Sequence, residues 1–382
     1  MLNYTSLKVM IKISQILSKS DINDANIPLR LDSGIYIYGA GELGLLAIEY
    51  CEACNIPIAG VIDRNKKGFV SGVVTNYEIC EPHKVSLLNR LNIPIAVAVA
   101  TVPYNPIANT LKSMGWRTVV PFYRLTKENR PEHPLSNGWI IGSVNNHELH
   151  DISLICENFA DEESRVHYEA FIAWHIDYSE LTLTDYPIDP TQRYTIKPLL
   201  NFLLRNNRQF VDVGSHKGSA VQRLNNKNIF FDEYILIEPD ENSRNNLTSV
   251  AKKLRKHGRQ VTIINNVVGA TRSIQPFQNG RGYCSQIWKE SKTYREVLPI
   301  DEYKLKPNFI KVHTEGSEFD VLKGGENTIK KNRPAIVFSV YHNRNGLCSD
   351  IVGVMDLFIN YLWYFRLHSY QGTGAFVYGI PN

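Results

Sequence analysis

The sequence predicts an α/β protein built from two successive strand–helix halves, and three observations carry that expectation. Short apolar runs of strand length alternate with longer amphipathic stretches, the pattern of parallel strands covered by helices on both faces. Two glycine turns, IYIYGAGELG at 35–44 and QFVDVGSHKG at 209–218, each join a strand pattern to a helix pattern. At 382 residues and 43% hydrophobic content, the chain is long enough for two cores of ordinary size.

Taken in order, residues 1–30 read as an amphipathic helix with Leu7, Met10, Ile11, Ile13, Ile16 and Leu17 on its apolar side. The first half, 31–125, runs strand GIYIYG, helix ELGLLAIEYCEACN, strand IAGVID, strand IPIAVAVAT and helix PYNPIANTLKSMG. Residues 126–198 are rich in His, Asp, Glu, Asn and Pro, with one helix at DEESRVHYEAFIAWHI. They read as a connecting segment beside the mouth of a site. From 199 to 382 the alternation is regular. The strands are QFVDVG, YILIEP, VTIINNVVG, NFIKVH and AIVFSVY, separated by helical stretches that include ENSRNNLTSVAKKLRKHG and SEFDVLKGGENTIKKN. Helix VGVMDLFIN and two closing strands, WYFRLHS and AFVYGI, end the chain. The short turn between the last two implies a terminal antiparallel pair. Both halves are expected to be Rossmann-like, the second with the layout of a class I methyltransferase sheet and its ligand at the carboxyl ends of the strands.

Composition excludes more than it identifies. The net charge is +4 and no Lys/Arg run is dense enough to propose a nucleic-acid partner. Lys8 and Lys12 interrupt the N-terminal apolar residues, and the longest apolar run, IPIAVAVA, is strand-length, so no signal peptide or membrane span is expected. Six scattered cysteines suggest a reducing, cytoplasmic setting. Cys51 and Cys54 form a CxxC inside a helix with no second pair, so helix packing is the expected role. A homo-oligomer is compatible with all of this.

The two glycine turns predict different ligands. Gly39, Gly41 and Gly44 form a GxGxxG, with Asp63 at the end of the next strand. No acid precedes these glycines, so backbone N–H groups and a helix N-terminus would face a phosphate, as in a nucleotide or NAD(P) site. In the second turn Asp212 precedes Gly214 and Gly218, and Glu238 closes the neighbouring strand, followed by Pro239. A carboxylate at the turn repels pyrophosphate and attracts a ligand carrying ammonium and sulfonium charges, such as S-adenosylmethionine. Glu238 is positioned to accept hydrogen bonds from the ribose diol. Ser215 and His216 complete the turn. As alternatives, Asp212 is a turn-stabilising acid and Glu238 flanks a helix.

The segment from about 209 to 382 resembles the FkbM-type S-adenosylmethionine-dependent methyltransferases. The anchors are FVDVGSHKG, LIEPDENSRNNL, NNVVGA, SQI, PIDEY, FIKVHTEGSEFDVLKGGENTI and AIVFSVYH, in that order. The resemblance implies an O-methyltransferase acting on a sugar hydroxyl in saccharide biosynthesis or on a glycosylated metabolite. It also implies that Asp212, Gly214, Gly218 and Glu238 meet the cofactor, with Asn266 and Val267 near the adenine. The YGAGELG…VIDRN half resembles nucleotide-sugar-handling or regulatory modules that precede this domain in some bacterial members. One departure stands out: the family pattern I-K-x-D-x-E-G reads IKVHTEG here, so His313 replaces the Asp.

Three roles stay open for His313 at its strand end: a base or acceptor ligand, a structural histidine, or a metal ligand with Glu315 or Glu318. No metal site is assigned. His342, at the next strand end, is a second base candidate, and Glu315 joins them as a catalytic candidate. Lys311 is expected to snorkel or pair with an acid. Tyr283, Cys284 and Ser285 either line an acceptor pocket or form a plain turn. Two rival functions remain: an NAD(P)-dependent nucleotide-sugar enzyme using the first turn, and a binding protein whose second half is inactive.

Overall fold

The computed structural model describes residues 28–136, 142–280 and 285–382. The expected N-terminal helix, Tyr283 and Cys284 lie outside the described residues. Among those described, no helix is long and apolar enough to cross a membrane.

The first sheet has six strands: β1 (Ile35–Tyr38), β2 (Ile58–Ile62), β3 (Phe69–Ser71), β4 (Asn76–Cys80), β5 (Ile95–Val97) and β6 (Val119–Pro121). Their order is β3-β4-β2-β1-β5-β6, parallel throughout except for the β3–β4 hairpin. β1 pairs with β2 on one side and β5 on the other, so the chain switches direction across the sheet between β1 and β5. The helix Glu42–Ala53 buries Leu46, Ala47, Ile48, Tyr50 and Cys51 against Ile35, Ile37 and Val61. Cys51 and Cys54 are both free thiols, and burial pushes both up in pKa, Cys51 to about 12. Cys51 is thus a packing residue of the core.

The second sheet has seven strands: β7 (Gln209–Val213), β8 (Glu233–Ile237), β9 (Gln260–Ile264), β14 (Phe309–Val312), β15 (Ala335–Ser339), β16 (Tyr361–Leu367) and β17 (Ala375–Pro381). In the order β16-β17-β15-β14-β7-β8-β9, β17 runs antiparallel to both its neighbours and the remaining pairs are parallel. β7 and β14 lie side by side at the switch point. Continuous apolar runs make this sheet because it is covered on both faces: all five residues of β7 and of β15 are buried.

Several elements differ from the expectation. VTIINNVVG is not one strand. It breaks after Ile264, and Val267–Val268 becomes β10 of a separate four-stranded sheet with β11 (Ser273–Gln278), β12 (Gln286–Ile287) and β13 (Tyr294–Leu298). SEFDVLKGGENTIKKN is two helices, Glu318–Lys323 and Glu326–Asn332. At the junction Gly324 passes so close to the Gly269 carbonyl that a Cβ would sit 2.0 Å from that oxygen, so only glycine fits there. The connecting segment holds two long helices, Asn146–Asn158 and Glu162–Asp177. The first starts in a reciprocal cap between Asn145 and Glu148. Both share the core of the second sheet through Ile152, Phe159, Tyr168 and Phe171. Buried Arg366 of β16 fastens the second helix by ion pairs to Asp161 and Glu163.

Candidate functional site

A cavity of about 710 Å³ opens at the carboxyl ends of β7, β8 and β14, where doubly wound sheets hold ligands. Its size falls within the roughly 300–1,000 Å³ typical of small-molecule sites. Gly214, His216, Glu238, Pro239, Asn266, Val267, His313 and Glu315 all line it.

The turn after β7 requires glycine. Gly214 has φ of +72°, and a Cβ there would sit 1.8 Å from the His313 carbonyl oxygen. The close approach brings the turn directly against the end of β14. Gly218, at φ +73°, packs instead beneath Val250 and Leu247.

Asp212 does not face the cavity, contrary to the sequence reading. It is fully buried, and Lys311 Nζ lies 2.9 Å from its Oδ1. Lys311 Nζ also donates to the Gly214 carbonyl at 2.5 Å. Burial raises the Asp212 carboxyl while Lys311 opposes the rise. Burial pushes Lys311 down, but Asp212, Tyr194 and Glu238 together leave it raised. The pair is a fastener between adjacent strands, in the register Lys311 to Asp212. The pair carries no net charge, and its Lys311 end lines the cavity. Ser215 is also buried, its hydroxyl donating to the Asp212 carbonyl at 2.7 Å.

Glu238, just past the end of β8, does reach the cavity. Its Oε2 accepts from the His216 backbone N–H at 2.7 Å and its Oε1 from the Asp240 N–H at 2.9 Å. Burial raises its pKa to about 7 against the pull of those two donors. His216 is held at φ +48°, and burial lowers its pKa. Asp240 binds the far loop, accepting from the Gly280 N–H at 2.6 Å and the Ser285 hydroxyl at 2.8 Å. Asn266 donates to the Tyr303 hydroxyl at 3.2 Å.

At the ends of β14 and β15 a compact cluster forms. His313 Nε2 lies 3.0 Å from His342 Nε2 and 3.4 Å from Glu315 Oε1. His342 Nδ1 lies 3.0 Å from Glu315 Oε2. The Tyr194 hydroxyl is 3.3 Å from His313 Nδ1, and that of Tyr341 is 3.3 Å from His313 Nε2. Burial pushes His313 down to about 3, so it does not keep the near-neutral pKa that the sequence reading gave to a base. Glu315 is held low by the two imidazoles despite burial, and raises His342 in turn. Glu318 stands apart from the cluster. It accepts from the Thr314 and Gly316 N–H groups and the Ser339 hydroxyl.

The first glycine turn is built differently. Gly44 packs so tightly that a Cβ would sit 1.9 Å from the Gly39 carbonyl oxygen, whereas Gly41 meets nothing within 4 Å. Asp63 is already engaged by backbone: Oδ2 accepts from the Ala40 N–H, and Oδ1 from those of Asn65 and Lys66. Beyond β5, at the switch point, the β16–β17 loop docks. The Tyr370 N–H donates to the Ala100 carbonyl at 2.8 Å and the Gln371 side chain to the Val99 carbonyl at 2.7 Å. The helix after this turn lines the large cavity with Glu42, Leu43, Leu45, Leu46 and Glu49.

Sequence reasoning did not foresee Tyr194, Arg193, Tyr341 or the helix at Glu42 as cavity walls. They come from distant stretches, and no spacing signal links them. The expectation of a predominantly negative crevice also changes. Glu42, Glu49, Glu238 and Glu315 share the lining with Arg193, Lys217, Arg223 and Lys311, so charge sign alone does not select the ligand.

Residues 212–369 match the family described as Methyltransferase FkbM domain. The crystal structure of a methyltransferase FkbM from Methylobacillus flagellatus KT is similar over 98% of this chain and 100% of that one, with a TM-score of 0.69 and 16% identity. At that identity the likeness concerns the fold. The crystal structure of a precorrin-6y C5,15-methyltransferase from Geobacter metallireducens GS-15 matches at a TM-score of 0.30 and 12% identity, over 52% of this chain and 96% of that one, too distant to carry an argument. No curated protein matches the chain. The protein is an enzyme of methyltransferase type. The likeness to the FkbM methyltransferase domain is confined to residues 212–369, in the C-terminal half.

Proposed function

We propose that this protein is an S-adenosylmethionine-dependent O-methyltransferase acting on a sugar hydroxyl, with residues 199–382 as a class I methyltransferase domain and 31–125 as a second, Rossmann-like domain that walls its cavity. The observation that carries the reading is Glu238. It lines the cavity at a strand end, and each carboxylate oxygen holds only one backbone donor, leaving lone pairs for the two ribose hydroxyls. Asn266 and Val267 would flank the adenine, and Gly214 leaves room for the amino-acid portion beside the turn.

The reaction is an in-line displacement. An acceptor hydroxyl oxygen would bond to the methyl carbon of bound S-adenosylmethionine, the carbon–sulfur pair would leave on sulfur to give the neutral thioether S-adenosylhomocysteine, and the hydroxyl proton would pass to solvent. The sulfonium is already activated, so alignment of acceptor and methyl contributes most. His313, Glu315 and Tyr341 lie where the cofactor turn abuts the end of β14, and they would orient the acceptor. Hydroxyls from Tyr194, Thr314, Ser317, Ser369 and Thr373 line the same cavity and suit a polyhydroxylated acceptor, whose own hydroxyls need partners when desolvated.

The rival NAD(P) reading has less support. Asp63 is occupied by three backbone donors, and the β16–β17 loop sits on the β5 end of the first sheet. The test is transfer of a labelled methyl group from S-adenosylmethionine to a panel of free and nucleotide-linked sugars by the full chain. Labelled saccharide with equimolar S-adenosylhomocysteine supports the reading. Absence of both cofactor binding and transfer overturns it.

A further inference from the structure

We propose that His313, Glu315 and His342 form a divalent-cation site whose open coordination positions receive the acceptor hydroxyl, an inference that rests on the methyltransferase reading above. One ligand atom from each residue lies within 4.8 Å of the others. The two Nε2 atoms are 3.0 Å apart, and Glu315 Oε1 is 3.4 Å from His313 Nε2. Donors about 2.0–2.2 Å from a shared tetrahedral ion are roughly 3–3.5 Å from one another, and these two separations fall in that range.

His313 is oriented from behind, and His342 is fixed by the Glu315 carboxylate of the cluster itself. His313 Nδ1 meets the Tyr194 hydroxyl at 3.3 Å, and His342 Nδ1 meets Glu315 Oε2 at 3.0 Å. The Tyr194 contact turns His313 Nε2 toward His342 and Glu315, as an outer partner does for a metal-binding histidine. Glu315 is held at φ +56°, a backbone conformation that persists in a non-glycine residue only where its surroundings enforce it.

Two nitrogens and one carboxylate favour zinc, iron, cobalt or manganese over magnesium or calcium, which prefer all-oxygen sets. Three protein ligands leave positions free, and His313 and Glu315 face the cavity. A sugar hydroxyl bound there becomes more acidic, as metal-bound water does. Its proton leaves to solvent, its oxygen takes the methyl group, and the carbon–sulfur pair goes to sulfur. No oxidant or reductant is consumed.

The test titrates Co²⁺ into the full chain after chelator treatment and dialysis, reading visible absorption and bound metal per chain. One equivalent, displaced by Zn²⁺, is expected. His313→Ala and His342→Asn should each weaken binding about a hundredfold or more, and Tyr194→Phe, which removes only an outer partner, about tenfold. Thermal melts and S-adenosylhomocysteine affinity report whether each variant is folded. No Co²⁺ bound by the wild type, or binding unchanged in the variants, overturns the proposal. Wild type that binds S-adenosylhomocysteine without Co²⁺ sinks the metal site alone, whereas wild type that binds neither sinks the methyltransferase reading with it.

Discussion

Glu238 offers a quantitative test of cofactor recognition. Its pKa of about 7 is raised by burial from the ordinary 4.5, so the carboxyl titrates within the range where the protein can be assayed. If ribose hydroxyls donate to the ionised form, affinity for S-adenosylhomocysteine should rise with pH. Between pH 6 and pH 8 the ionised fraction grows about tenfold for a group titrating near 7, so Kd should fall by about that factor. Glu238→Gln should abolish the dependence and weaken binding at pH 8 by about ten- to a hundredfold, since hydrogen bonds to a charged acceptor are worth about 1.5–3 kcal/mol. The stability effect has the opposite sense. The folded state holds the proton more tightly than the unfolded chain, so a shift of about 2.5 pH units costs about 3 kcal/mol, developing as pH rises from 4.5 to 7 and constant above. Glu238→Gln should therefore melt no lower than wild type at pH 8. Calorimetric titrations at both pH values read the affinities. A Kd independent of pH, together with a Glu238→Gln variant that binds within twofold of wild type, would refute the reasoning.

Lys311→Met leaves Asp212 buried and unpaired and should destabilise by about 3–5 kcal/mol. The double variant Asp212→Leu/Lys311→Met should recover much of that loss in denaturant unfolding, because it removes both halves of the buried pair. Gly214→Ala would force a methyl group to 1.8 Å from the His313 carbonyl oxygen, so little folded protein is expected in a thermal melt. NAD titrated into the full chain should give no binding heat under conditions where S-adenosylhomocysteine does, given the occupied Asp63 and the docked β16–β17 loop.

The strands of both sheets were legible because buried parallel strands are written as uninterrupted apolar runs: IYIY, QFVDV and AIVFS read directly. The β10–β13 sheet was not. Its strands are short and half polar, and Asn265 and Asn266 conceal the break after Ile264. The helix Asn146–Asn158 was missed although Asn145 and Glu148 carry its capping signature, because charged residues in that segment masked the apolar stripe. At the site, Glu238 and Gly214 could be identified from strand-end position alone. The role of Asp212 could not, since its partner Lys311 comes from 99 residues away and only the β7–β14 register brings the two together. The meeting of His313 with His342 and Tyr194 depends in the same way on neighbouring strand ends and a distant loop.

The most direct measurement is a crystal structure of the full chain with S-adenosylhomocysteine. The account predicts the nucleoside at the ends of β7 and β8, both ribose hydroxyls on Glu238, and the sulfur facing His313 and Glu315. A nucleoside seated instead over Gly39 and Gly41, or a ribose that makes no contact with Glu238, would contradict it.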